Sequence, residues 1–252
     1  MFSMIRADLL KIQKRAIGWV MLAISFLLVT LIMLLMSLQS GTASEQLSGF
    51  PGGLLTGPQI IAESLGTFLV IIFSAGLVGS EYHYDTWKNL LTRYPGRTAF
   101  ILSKWITLAI TIGIGVTLLA LWSQILNWLL GANRTQTTTL GAVVLELLVY
   151  MLVLLGSGTV ALLGAVGFRS TFAGIITGIT WLVLDGIAGA VTFVPDAVKR
   201  YLFSPTGNSL LAHIQGAAID NNVAWHLLVM SIYLIIPIIL AAYIFHQRDV
   251  TG

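Results

Sequence analysis

Three carboxylic acids interrupt long apolar stretches of this 252-residue chain: Glu63, Glu146 and Asp185. An ionisable group at membrane depth is costly, so each is by default a candidate for taking up a proton, a cation or a polar cargo. Glu63 and Glu146 fall near the outer ends of their apolar runs, within reach of interfacial water. Asp185 lies deeper, just outward of the middle of its run. Two chemistries fit. One is an outward-facing acidic vestibule for a cationic or polar cargo. The other, which we favour, is hydrogen bonding between helices, with Asp185 bonded to a Ser, Thr or Tyr of a neighbour.

Other chemistries lack their residues. Cys is absent, which removes disulfides, thiolate zinc sites and thiol nucleophiles. His83, His213, His226 and His246 are scattered and form no H-E-x-x-H. No G-x-x-x-x-G-K-[ST] cradles a nucleotide phosphate. "GSGT" at 156–159 reads as small residues in a tightly packed helix and not as a serine elbow. We therefore expect no catalytic residue, no metal and no cofactor bound by this chain, and no nucleic-acid partner.

The elements that position these residues are membrane helices. The chain is 57% hydrophobic and 9% charged, with net charge +3; soluble domains carry about 25% charged residues. Six runs, at about 17–38, 60–80, 105–130, 141–166, 171–194 and 224–245, are long enough as helices to cross a hydrocarbon core of about 30 Å. The first is too long for a signal-peptide core and is expected to stay as an anchor. Arg6, Lys11, Lys14, Arg15, Lys88, Arg93, Arg97, Lys104, Arg169 and Arg248 fall on one side, against Arg134, Lys199 and Arg200 on the other. The positive-inside rule then puts both termini in the cytoplasm. Trp19, Trp87 and Trp105 sit near the inner boundary, Trp128 and Trp225 near the outer one.

Residues 1–16 read as an amphipathic helix on the inner leaflet, with Ile5, Leu9, Ile12 and Ala16 on its apolar face. The outer loop 39–59, rich in Gly and Pro, is expected to hold little regular structure. "GFRST" makes the fourth and fifth spans antiparallel neighbours. The outer hairpin 195–223 reads as two short helices around the turn "SPTGN". Pro237 should kink the last span. In the fifth span, Gly174, Gly178, Asp185 and Gly189 share one stripe, so Asp185 faces a protein neighbour or a cavity, in the same chain or across a dimer axis. The expected fold is one all-α polytopic domain over 1–252.

The segment 81–104 between the second and third spans is polar but patterned. Tyr84, Trp87, Leu90, Leu91 and Tyr94 recur at helical spacing, with Lys88, Asn89, Thr92 and Arg93 opposite, and Asp85 and Lys88 stand at i, i+3. Pro95-Gly96 ends that helix, and "RTAFILSKW" begins the next. An apolar face outside the membrane reads as a docking surface for another protein.

"GSEYHYDTWKNLLTRYPGRTAFILSK" resembles the cytoplasmic segment after the second span of ABC-2 type permeases. In that family a Glu closes the second helix (here Glu81), a small residue follows (Thr86), a Leu-Leu pair (Leu90, Leu91) precedes a turn and a basic residue (Pro95, Arg97), and a Lys begins the third helix (Lys104). The chain departs from the pattern at Asp85-Thr86, where many relatives have a Gly-Thr type step. The resemblance implies a permease working as a pair, here a homodimer, in a bacterial plasma membrane, with two separate ATPase subunits that hold ATP and Mg. It implies that Glu81, Tyr84, Asp85, Trp87, Lys88, Leu90, Leu91, Arg93 and Arg97 form a coupling segment seated on the ATPase, and that the direction is export. The small and apolar span residues suit a hydrophobic, amphipathic or peptide-like cargo. The alternatives are a stand-alone secondary transporter or channel using Glu63, Glu146 or Asp185, and a membrane scaffold or immunity factor that binds a peptide without moving it.

Overall fold

The computed structural model describes residues 2–14, 16–39, 49–63, 66–84, 97–131, 139–215 and 222–247. Regular structure among them is helical throughout: α1 (Phe2–Lys14), α2 (Ala16–Gln39), α3 (Gly53–Glu63), α4 (Gly66–His83), α5 (Arg97–Leu129), α6 (Leu140–Phe168), α7 (Thr171–Ala190), α8 (Asp196–Lys199), α9 (Phe203–Ile214) and α10 (Val223–Gln247). Five helices, α2, α5, α6, α7 and α10, are each long and apolar enough to cross a membrane, and the bent α3–α4 pair brings the number to six if it is one broken span and leaves it at five if it is a re-entrant loop. The protein is a multi-pass membrane protein. The side that carries α1 is called the near face below, and the opposite side the far face.

The bundle is built around α6. Its small residues from Gly156 to Ala165 bring neighbours to backbone contact, the route by which helices associate where lipid removes the hydrophobic drive. The Ser74 hydroxyl of α4 donates directly to the Gly158 carbonyl. On the other flank, Arg169 turns the chain in the left-handed region (φ 54°) and α7 returns antiparallel along α6. By contrast α2 is peripheral: among its described side chains only Val29 and Met33 are buried.

Three apolar clusters stack through the bundle. Near the α1 side, Phe100 and Phe245 stack at 5.2 Å over Val78, Leu162 and Val166. Leu108, Ile112, Leu119 and Leu154 join Val29 and Met33 in the second. At the far face, Tyr150, Phe203, Leu210 and Met230 close the third, with Trp181, Phe203 and Tyr233 packed ring to ring.

Three local expectations change. The run at 60–80 is not one straight span: α3 and α4 differ in direction by 66°, and α4 alone, at 18 residues, spans about 27 Å. The loop 39–59 is not irregular throughout, because Gly53–Gln59 belong to α3. Ser123 and Asn127 of α5 donate to the Gly53 carbonyl at 2.9 and 3.2 Å and hold its start. "SPTGN" is no turn but the first turns of α9. Pro205 sits where a missing N–H costs nothing, and the chain turns earlier, at Arg200–Leu202. At Pro237 α10 continues as one helix, with the ring buried.

Candidate functional site: a buried ion cluster joining three helix ends

Local sequence sets three helix ends at the near face. The first, α1, is short and basic, and its inward side carries Met4 and Ile5 with one acid, Asp8, all buried. At 33 residues α5 is about 50 Å long, more than a hydrocarbon core needs, and its first turns pack Phe100 and Ile101 into the first apolar cluster and place Lys104 beside them. The last turn of α4 brings Glu81.

These ends meet in a chain of charges. The Lys104 ammonium donates to Asp8 Oδ1 at 2.7 Å and to Glu81 Oε1 at 3.0 Å. Lys11, one turn after Asp8, donates to the same Glu81 oxygen at 2.8 Å. Lys104 is 2% exposed, Glu81 3% and Asp8 6%, so the two Lys104 pairs are screened far less than surface pairs, while Lys11 is partly exposed. Among the described residues two cations, Lys104 and Lys11, meet two anions, Asp8 and Glu81. Lys104 also lies over the Phe100 ring, 5.4 Å from its centre. Beside it is a cavity of about 260 Å³ whose lining includes Ser80, Glu81, Tyr84, Lys104 and Thr171.

Of the residues read from sequence as the docking segment, Glu81 lies in this cluster. Tyr84, just past α4, is exposed and meets His83 edge to face at 4.9 Å. Arg97 opens α5. Asp85, Trp87, Lys88, Leu90, Leu91 and Arg93 lie outside the described residues. Asp8 and Lys11 escaped the sequence reading of the site. Asp8 does leave a signal: it falls on the Ile5–Ile12 face of α1, where an acid needs a cation.

The three intramembrane acids do not come together as one site. Glu63 ends α3, exposed, and accepts from Gln59 Nε2 at 3.1 Å. Glu146 is buried in α6 at the far face. One of its oxygens accepts from Gln215 Nε2 at 3.2 Å, and the other has no partner among the described residues. His226, buried at the start of α10, likewise has neither ring nitrogen bonded among them. Asp185 accepts the backbone N–H groups of Phe203 and Ser204 at 2.9 and 2.8 Å. It is thus bonded to backbone and not, as expected, to a Ser, Thr or Tyr side chain. It satisfies two of the orphan donors at the start of α9, where Leu202 has no side chain to do so.

The stripe on α7 faces this same chain. A Cβ on Gly174 would come within 2.9 Å of Ala75 of α4 and 2.7 Å of Ala165 of α6. On Gly178 it would meet Ile71 and Ala161, and on Gly189 Pro205. Among the described residues no group of three or more His, Asp or Glu side chains is placed to hold a metal ion. The near-face cluster offers no nucleophile. What it does is tie the two helices that flank 85–96 to each other and to α1.

Compared with known proteins, residues 4–185 match the family model described as ABC-2 family transporter protein, a span that takes in the near-face cluster and runs to Asp185. None of the curated proteins compared with the chain matches it.

Proposed function

The chain belongs to the ABC-2 family of transporter proteins, and we propose that it is the membrane-spanning subunit of an ATP-driven exporter whose ATP is hydrolysed by a separate subunit docked on residues 81–104. Its permease role follows from the family. The finer reading concerns how work done elsewhere enters this chain.

One observation carries it: the ion cluster Asp8–Lys104–Glu81–Lys11. A segment pushed from outside moves a membrane bundle only if its ends are fixed to helices that move together. Glu81 lies three residues before Tyr84, and Lys104 seven after Arg97, so the cluster clamps both arms of the intervening segment. Lys104 and Glu81 are bonded to each other and each also to α1, through Asp8 and Lys11, so the arms move as one body with α1. Closure of two ATPase subunits bearing ATP and Mg would then tilt α4 and α5 together. Such a change is driven by the partner's preference for one of two arrangements.

In this reading the near face is cytoplasmic, which the basic-residue asymmetry supports, the membrane is a bacterial plasma membrane, and two copies of the chain pair. The cargo is hydrophobic, amphipathic or peptide-like. The capping role of Asp185 supports the ATP-driven reading over a stand-alone ion-coupled carrier, since the deepest of the three acids is occupied with backbone donors.

The test is reconstitution. Vesicles holding the chain and its co-purifying ATPase should accumulate cargo only with ATP and Mg. Accumulation by the chain alone under an imposed proton or sodium gradient would refute the proposal.

A further inference from the structure

A cleft of about 490 Å³ runs between the peripheral α2 and the wall made by α4 and α5. Gln13 and Trp19 stand at its near-face end, Ile61 and Gly66 at the other, and Leu22, Val70, Phe73, Ile112 and Leu119 line it between. It is long, narrow and apolar, and its flank lies among the surfaces that meet lipid.

Four observations say what fills it. First, its few hydroxyl groups are spent: Ser25 donates to Met21 O at 2.9 Å and Thr111 to Thr107 O at 2.8 Å. The walls thus give a polar cargo almost nothing to bond. Second, Gly115 lines the cleft, and nothing lies within 4 Å of where its Cβ would be. Packing does not demand glycine there, and in a helix glycine costs about 1 kcal/mol against alanine; its effect is to leave the cleft open. Third, the near-face end is built at interfacial depth: the Trp19 indole donates to Gln13 O at 2.8 Å and ties α2 to α1. Fourth, Arg6 is exposed on α1, on the same side as Leu9 and Gln13 of the cleft, and places a positive charge at its rim.

We propose that this cleft binds an anionic phospholipid, one acyl chain lying along α2 and the phosphate at the Arg6 rim. An acyl chain gains no hydrophobic free energy by moving from bilayer to cleft. It gains the dispersion contacts that a three-sided groove offers and a void forfeits, and the headgroup gains the attraction of the basic helix. The bound lipid fills the gap between α2 and the bundle and holds α1, and with it Asp8, in place. This inference does not depend on how transport is driven.

The full chain, purified in mild detergent from vesicles of equal phosphatidylglycerol and phosphatidylcholine, is examined by native mass spectrometry. One phosphatidylglycerol per chain should survive washing that removes the other lipids. Gly115→Phe, which fills the cleft from α5, should abolish its retention, and so should Ser25→Phe from α2. Arg6→Gln should keep a lipid but lower the phosphatidylglycerol preference about fivefold, the effect of one basic residue at a charged membrane surface. Retention unchanged in both Phe variants overturns the site. Equal retention of the two lipids by the wild type overturns the anionic recognition. A bound species of non-lipid mass in the wild type overturns the choice of occupant.

Discussion

Lys104 shows how much depends on single polar atoms in this chain. Its ammonium holds Asp8 and Glu81, residues separated from it by 96 and 23 positions. Lys104→Met removes the cation but leaves its stem volume. Lys11 still pairs Glu81, while Asp8, 6% exposed, loses the Lys104 ammonium. The expected loss is about 3–5 kcal/mol, the cost of stranding one member of a buried pair. Adding Asp8→Asn should recover at least about 1 kcal/mol, because the two side chains are in direct contact. Unfolding of the detergent-solubilised variants measures both; additive losses would mean that the pair is not coupled. Asp185 makes a different case. Asp185→Asn replaces two charge-assisted bonds with one neutral acceptor and should cost about 2–3 kcal/mol. The loss should appear as increased proteolysis around α9. Glu63→Gln, at an exposed helix end, should stay within about 0.5 kcal/mol. If transport is assayed as well, Asp185→Asn should impair it more than Glu63→Gln.

Among the elements, α7 packs against the bundle along one stripe only, and its glycines are not equivalent. A methyl group on Gly174 meets the Ala161 carbonyl and two alanine side chains within 3 Å, so Gly174→Ala must push α4 or α6 aside. It should destabilise the protein by about 1–3 kcal/mol, as overpacking does. On the same helix nothing lies within 4 Å of a Cβ on Gly186, and Gly186→Ala should gain up to about 1 kcal/mol from helix propensity. Thermal unfolding of the two variants separates a packed helix face from an open one. The periodicity of α7 already puts Gly174, Gly178, Asp185 and Gly189 on one stripe. That the stripe meets α4, α6 and α9 of its own chain, and not a second copy, depends on how far α7 is rotated against them. Similarly, the Gly- and Pro-rich composition around α3 carries turn signals, which Asn127 and Ser123, some seventy residues away, override by holding its start.

At the scale of the whole molecule, the near face gathers α1 with the end of α4 and the start of α5, the two helices that flank residues 85–96 in sequence, and the far face gathers α3, α8 and α9. If that segment is the seat of an ATPase, Leu91→Asp and Trp87→Ala should abolish co-purification of the ATPase while the chain still inserts. Lys104→Met should leave the ATPase bound but weaken the link between ATP hydrolysis and transport. Counting ATP hydrolysed per cargo moved distinguishes the two classes of variant. An unchanged ratio in Lys104→Met would show that the cluster does not transmit the motion.

By itself the sequence determined that this is an all-helical membrane protein, roughly where its spans lie, that α6 and α7 are antiparallel neighbours, and that it resembles the ABC-2 permeases. Those readings rest on quantities summed along a short stretch: hydropathy, helical period, loop length, and one motif of about 25 residues. Tertiary structure alone decided what each polar side chain meets. Glu81 and Lys104 were legible as the ends of a docking segment. That they are bonded to each other and share their charges with α1 was not legible. Nor was the capping of α9 by Asp185, or the open cleft beside Gly115. A hydrogen bond depends on the rotation and depth of two helices relative to one another, to within a fraction of an ångström, and neither quantity is written in the period of either helix.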